Sequence, residues 1–91
     1  MEEKLKEIIN HFGLNNQLVK LNEETGELIV ACMDNNCFQD DVIEEIADVH
    51  VLLRQLQLYY DIKDKQIKKV MKEKTNRTIE RIYSDYYDNH R

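Results

Sequence analysis

Leu21-Asn22-Glu23-Glu24-Thr25-Gly26-Glu27-Leu28 and, further on, Ile43-Glu44-Glu45-Ile46-Ala47-Asp48-Val49 decide how this 91-residue chain is read. Each stretch sets carboxylates three residues apart among aliphatic neighbours: Glu24 with Glu27, and Glu45 with Asp48. Positions three apart share one side of a helix. Two antiparallel helices carrying such pairs bring four carboxylates to one place, where they repel unless a hard cation stands between them. Mg²⁺ is the natural occupant. On a wheel of roughly 100° per residue, Glu45 falls between Leu52 and Leu56 inside an apolar stripe, and Glu24 lies about 40° from Leu28. A carboxylate buried beside leucines has to be neutralised, by a raised pKa or by a counter-ion. Ala31 and Ala47 leave room for water and metal, and Gly26, at a cost of roughly 1 kcal/mol inside a helix, points to a close approach between helices.

Outward from these motifs the chain reads as nearly all helix. Proline is absent, glycine occurs twice, and apolar residues recur at three and four without sustained strand alternation. The spacing predicts a first helix over about 2–11, with Leu5, Ile8, Ile9 and Phe12 on its apolar side and Gly13 as its stop. A second starts near Asn15 or Asn16 as N-cap, packs through Leu18, Leu21, Leu28, Ile29 and Cys32, and ends around 34–36. Residues 35–39 form the turn. Asp40 or Asp41 then caps a third helix reaching Tyr60 through Val42, Ile43, Ile46, Val49, Leu52, Leu53 and Leu56, with Val51 off that stripe marking a second apolar face. A fourth begins near Asp64 and runs through Ile67, Val70, Met71, Thr78, Ile79 and Ile82. The order of the tail 83–91 is left open.

The expected class is therefore all-α and four-helix-bundle-like, a single domain over 1–91. Four helices of this length leave an apolar face that a lone chain barely covers, so a homo-oligomer, dimer or tetramer, is expected.

Charge is segregated. From Leu21 to Leu53 there are nine acidic residues and no Lys or Arg, whereas from Lys63 to Arg81 eight basic residues face only Asp64, Glu73 and Glu80. An acidic centre followed by a basic helix suits a magnesium-bound polyphosphate. The net charge of −5 and pI near 5.1 argue against a nucleic-acid polymer as partner. No apolar run nears about 18 residues and no leader or lipidation pattern stands at the start, which reads as a cytoplasmic chain with no membrane partner. Cys32 and Cys37 read as reduced thiols.

Acidic clusters on helices are usually solvated faces, and Glu44 on the polar side of its helix fits that description. The pairing of the two motifs on consecutive helices is what sets the others apart. His50 and His11 are not expected as ligands. A di-iron bundle needs Glu-x-x-His twice, and the residues three before these histidines are Ala47 and Ile8.

The two quoted stretches, in order, spacing and flanking Leu and Gly, resemble the paired Glu-Glu-x-x-Glu and Glu-x-x-Asp signature of the all-α MazG-type nucleoside triphosphate pyrophosphohydrolases, the superfamily with the dimeric dUTPases and dCTPases. The resemblance spans roughly residues 17–77. Lys72-Glu73-Lys74-Thr75-Asn76-Arg77 is similar to the family's Lys and Asn on the following helix, although here the Arg is adjacent to the Asn. Gln17 and Lys20 resemble positions near the nucleotide in relatives.

The resemblance implies hydrolysis of a nucleoside triphosphate, deoxy or non-standard, between the α and β phosphorus to give monophosphate and pyrophosphate. It implies Mg²⁺, with Mn²⁺ as a substitute, on Glu24, Glu27, Glu45 and Asp48. Glu24 with Glu23 forms the catalytic pair, Glu23 either orienting the attacking water or acting as an outer acid. Lys72, Lys74 and Arg77 are expected on the outer phosphates, Asn76 on a phosphate or sugar oxygen, and Gln17 and Lys20 near the nucleotide. The rival expectations are a non-catalytic helical interaction protein and a nucleotide sensor that binds without turnover.

Overall fold

The computed structural model describes residues 1–34, 36 and 38–89, with side chains through Asp85. Cys37 and the last two residues of the tail lie outside the described residues. Four α-helices follow one another: α1 (Glu2–Phe12), α2 (Leu14–Met33), α3 (Gln39–Tyr59) and α4 (Asp64–Asn89). There is no strand among the described residues, and none of their helices is long and apolar enough to cross a membrane. The chain divides into two compact units, Met1–Asp61 and Ile62–Arg91.

In the first unit α2 packs along α3, and α1 lies against both. Leu5 and Ile9 of α1 and Val49 and Leu52 of α3 are its buried apolar side chains. At roughly 1.5–3 kcal/mol each they make a thin core. Arg54 of α3 reaches Glu2 at 3.8 Å, a surface pair that contributes little by itself.

Gly13 alone separates α1 from α2. Its φ of +87° lies where a Cβ is penalised, so it ends α1 as its sequence position indicates, its N–H donating to Ile9 O at 2.8 Å. It also precedes α2 directly, which corrects the expected asparagine N-cap. Asn16 lies inside α2, and its Nδ2 donates back across the joint to Phe12 O at 2.7 Å.

The start of α3 is corrected in the same way. Phe38 holds the capping position, and Asp41, three residues on, accepts the Phe38 N–H at 3.3 Å. The aspartate closes the first turn from inside, with its charge near the helix N-terminus. Asp61, at φ +53°, follows α3 in the left-handed region that Asp tolerates.

The expected apolar side of α2 is also displaced. Leu21 and Leu28 are half-buried, Leu18, Ile29 and Cys32 are exposed, and the buried residue of α2 is Gln17. Val51 and Leu53 of α3 and Phe12 of α1 are exposed as well.

The second unit is a single amphipathic helix. Gln66 Oε1 accepts the Lys63 N–H at 2.8 Å and so caps it. Ile67, Val70, Met71, Ile79, Ile82 and Tyr83 along α4 are exposed. The helix continues through part of the tail to Asn89.

Candidate metal and nucleotide site

Glu24 stands in the middle of α2 and Glu45 in the first half of α3, each half-buried where the two helices pack. Glu27, one turn beyond Glu24, is exposed. One carboxylate oxygen from each of the three lies within 4.8 Å of the others. Glu24 Oε2 and Glu45 Oε2 are buried and have no hydrogen-bond partner. A buried ionised oxygen without a donor is unfavourable, and here two of them belong to residues that also repel one another.

The electrostatics follow from that arrangement. Burial, then the charges of Glu27 and Asp48, pushes the Glu24 carboxyl above its ordinary value. Glu45 adds to this, and Lys20 opposes it. Lys20 Nζ sits 3.8 Å from Glu24 Oε1 one turn earlier on α2, but its solvent-facing amine offsets only part of the repulsion. Glu45 is raised by burial first, then by Glu27, Asp48, Glu44 and Asp41. Asp48 is exposed and outside the triad of oxygens, yet close enough to act on both buried acids.

Both shifts are upward, so folding favours the protonated forms of Glu24 and Glu45. Their contribution to stability is complete below the ordinary value of 4.5 and is lost as pH rises through their raised values. Thermal melts in a chelating buffer should therefore show the melting temperature rising as pH is lowered from neutrality toward the ordinary carboxylate value of 4.5. Added Mg²⁺ should flatten that slope by stabilising the charged forms. A chelated protein whose melting temperature falls over this range contradicts the account.

Two grooves flank the acids. The first, about 670 Å³, runs between α1, α2 and α3. Ile8, Phe12, Val19, Val51 and Leu52 form apolar walls, and Asn16, Gln17, Lys20, Glu23, Glu24, Asp48 and Gln55 supply polar groups. The second, about 740 Å³, includes Gly26, Glu27, Val30, Ala31 and Glu45, and Glu23 borders both grooves. Gly26 does not mark a close helix approach as the sequence suggested. A Cβ there would meet nothing within 4 Å, because the residue opens onto the second groove and not onto α3. Ala31 lines the same groove, whereas Ala47 is exposed.

Gln17 and Gln55 meet in the wall of the first groove. Gln17 Nε2 donates to Gln55 Oε1 at 2.8 Å, in a buried bond between residues 38 positions apart. Sequence reasoning reached Gln17 by resemblance and missed Gln55. The available signal was an amide one turn after Leu52, on the side of α3 that also carries Val49.

Lys72, Lys74, Asn76 and Arg77 all lie exposed on α4, in the other unit. At roughly 100° per residue Lys72 and Asn76 share one face, and Lys74 and Arg77 share another. Glu44, His11 and His50 are exposed. Comparison with family models, characterised proteins and solved structures returns no match for this chain.

Proposed function

We propose that the protein is a Mg²⁺-dependent nucleoside triphosphate pyrophosphohydrolase of the MazG type, cleaving between the α and β phosphorus of a deoxy or non-standard nucleotide. One observation carries the reading: three carboxylate oxygens from two helices within 4.8 Å, in a cluster where two buried oxygens have no hydrogen-bond partner. A hard divalent cation is the partner such a donor set fits, all oxygen and all anionic. Glu24, Glu27 and Glu45 would hold it, Asp48 would complete the set, and Mn²⁺ would serve in place of Mg²⁺. Bound there, such an ion would supply Lewis acidity toward phosphate oxygens and would acidify water.

The remaining work falls to the chain. Glu23, exposed at the border of both grooves, would orient the attacking water or act as an outer acid. Lys20, which pairs with Glu24, and Gln17 would meet the nucleotide in the first groove that both line. Lys72, Lys74 and Arg77 of α4 hold the outer phosphates, and Asn76 bonds a phosphate or sugar oxygen. Under this reading 1–91 is one functional domain of the cytoplasm.

The test is a screen of common, deoxy and damaged triphosphates with Mg²⁺, separating pyrophosphate from orthophosphate. Pyrophosphate together with a monophosphate is expected. Orthophosphate alone rejects α–β cleavage, and binding without turnover of any triphosphate leaves a sensor.

Assembly belongs to the same proposal: a bundle completed by a second copy of the chain, as a dimer or a tetramer of two dimers. The exposed apolar side chains Ile43, Ile46 and Leu53 of α3 support it, since scattered apolar exposure is ordinary but a thin core beside it is not. The same surface favours the second reading, a helical interaction protein, which predicts no response to divalent cations. Light scattering at micromolar concentration should give at least twice the 11.0 kDa of the chain. A stable monomer rejects the assembly.

A further inference from the structure

At roughly 100° per residue, Ile67, Met71, Thr78 and Ile82 share one side of α4, and its apolar members are 38%, 59% and 56% exposed. Lys74 and Arg81 border that side on one flank and Lys68 and Lys72 on the other, while Glu73 and Glu80 lie opposite. An apolar strip is thus framed by positive charge.

The second groove reverses the pattern. Val30 and Ala31 line it among Glu23, Glu27, Asp34 and Glu45, and no Lys or Arg borders it among the described residues. Val30 is 68% exposed. Gly26 leaves part of the wall without a side chain, and a Cβ there would meet nothing within 4 Å, so a helix has room to approach. The contrast holds for the whole units: residues 62–91 carry nine basic and five acidic side chains, and residues 1–61 carry four and thirteen.

These charges select the occupant. Two α4 helices placed face to face set lysine against lysine, and an anionic lipid surface that attracts α4 repels the first unit. An acidic protein face with an apolar floor satisfies both features of α4, and this chain carries one. Only residues 60–63 join α3 to α4, with Asp61 left-handed at φ +53°, and short, strained hinges favour exchange between copies over closure within one. Resting on the assembly reading above, we propose that α4 of one copy lies in the second groove of another, its apolar strip on Val30 and Ala31 and its basic flanks on the acids, in a reciprocal exchange. Lys72 and Lys74 then serve the acidic cluster of the other copy, and the first groove stays open.

The test mixes two preparations, both carrying Cys32→Ser and Cys37→Ser. One bears a nitroxide at Glu73→Cys, on the side of α4 away from the groove, and the other is isotope-labelled and free of nitroxide. In the mixture the amide signals of Gly26, Val30 and Ala31 of the isotope-labelled chain should lose most of their intensity. In the unmodified protein, raising salt from about 0.05 M to about 0.5 M should weaken self-association at least about tenfold, because the contact is charged on both flanks.

Broadening of the groove only when nitroxide and isotope share one chain, or broadening confined to α4, overturns the exchange and leaves the assembly standing. A monomer overturns both. Should the variants fail to fold, the unmodified protein decides, and self-association indifferent to salt overturns the proposal. Pyrophosphate release bears on neither outcome, so the hydrolase reading stands or falls separately.

Discussion

Replacing Glu45 with glutamine is expected to remove Mg²⁺ binding and to lower turnover by more than about a hundredfold, since even indirect supports of a metal ligand are worth roughly ten to a hundredfold. The fold should survive and its melting temperature in chelator should rise. The amide occupies the same volume, its NH₂ brings a donor to a cluster that has none for Glu45 Oε2, and one charge leaves a group of mutually repelling acids. Opposite signs for stability and activity distinguish a binding site from a structural contact. A solvated acidic face would show neither effect. Equal Mg²⁺ affinity in wild type and Glu45→Gln, measured by calorimetry, rejects the assignment.

Lys72→Ala should act on binding more than on chemistry. A charge-assisted bond to phosphate is worth about 1.5–3 kcal/mol, so KM should rise roughly ten to a hundredfold with kcat little changed, as when ground state and transition state lose the same contact. The side chain is exposed on α4 and carries no packing, so folding should be unaffected. Steady-state kinetics over a range of substrate concentration separates the two constants. A fall in kcat with KM unchanged places Lys72 in the chemical step and not in phosphate binding.

The helices were legible because their signals are local: apolar recurrence at three and four, no proline, and Gly13 where α1 stops. Their capping was less so. Asn15, Asn16, Asp40 and Asp41 all suit a cap by residue type, but Gly13 makes the joint in one residue and Phe38 leaves Asp41 to bond backward from the first turn. These choices depend on how neighbouring helices meet, which a linear pattern does not encode.

The acids were legible as a set because paired carboxylates within apolar stripes are unusual on both helices at once. Their ranking was not. The structure brings the oxygens of Glu24, Glu27 and Glu45 together and leaves Asp48 acting from farther out, a difference of side-chain length and rotamer that residue spacing cannot resolve. Gln55 escaped because Gln55 and Gln57 alternate with leucines alike, and only the partner 38 residues away singles out the first of them.

The one-residue joint at Gly13 has a mechanical consequence. Ile8 and Phe12 on its near side and Gln17 and Lys20 on its far side border the same groove, and Asn16 braces the turn against Phe12 O. Because α1 also rests on α3, any change of angle at Gly13 has to be taken up at two helix contacts at once, so the joint works as a clamp on the groove and not as a free hinge.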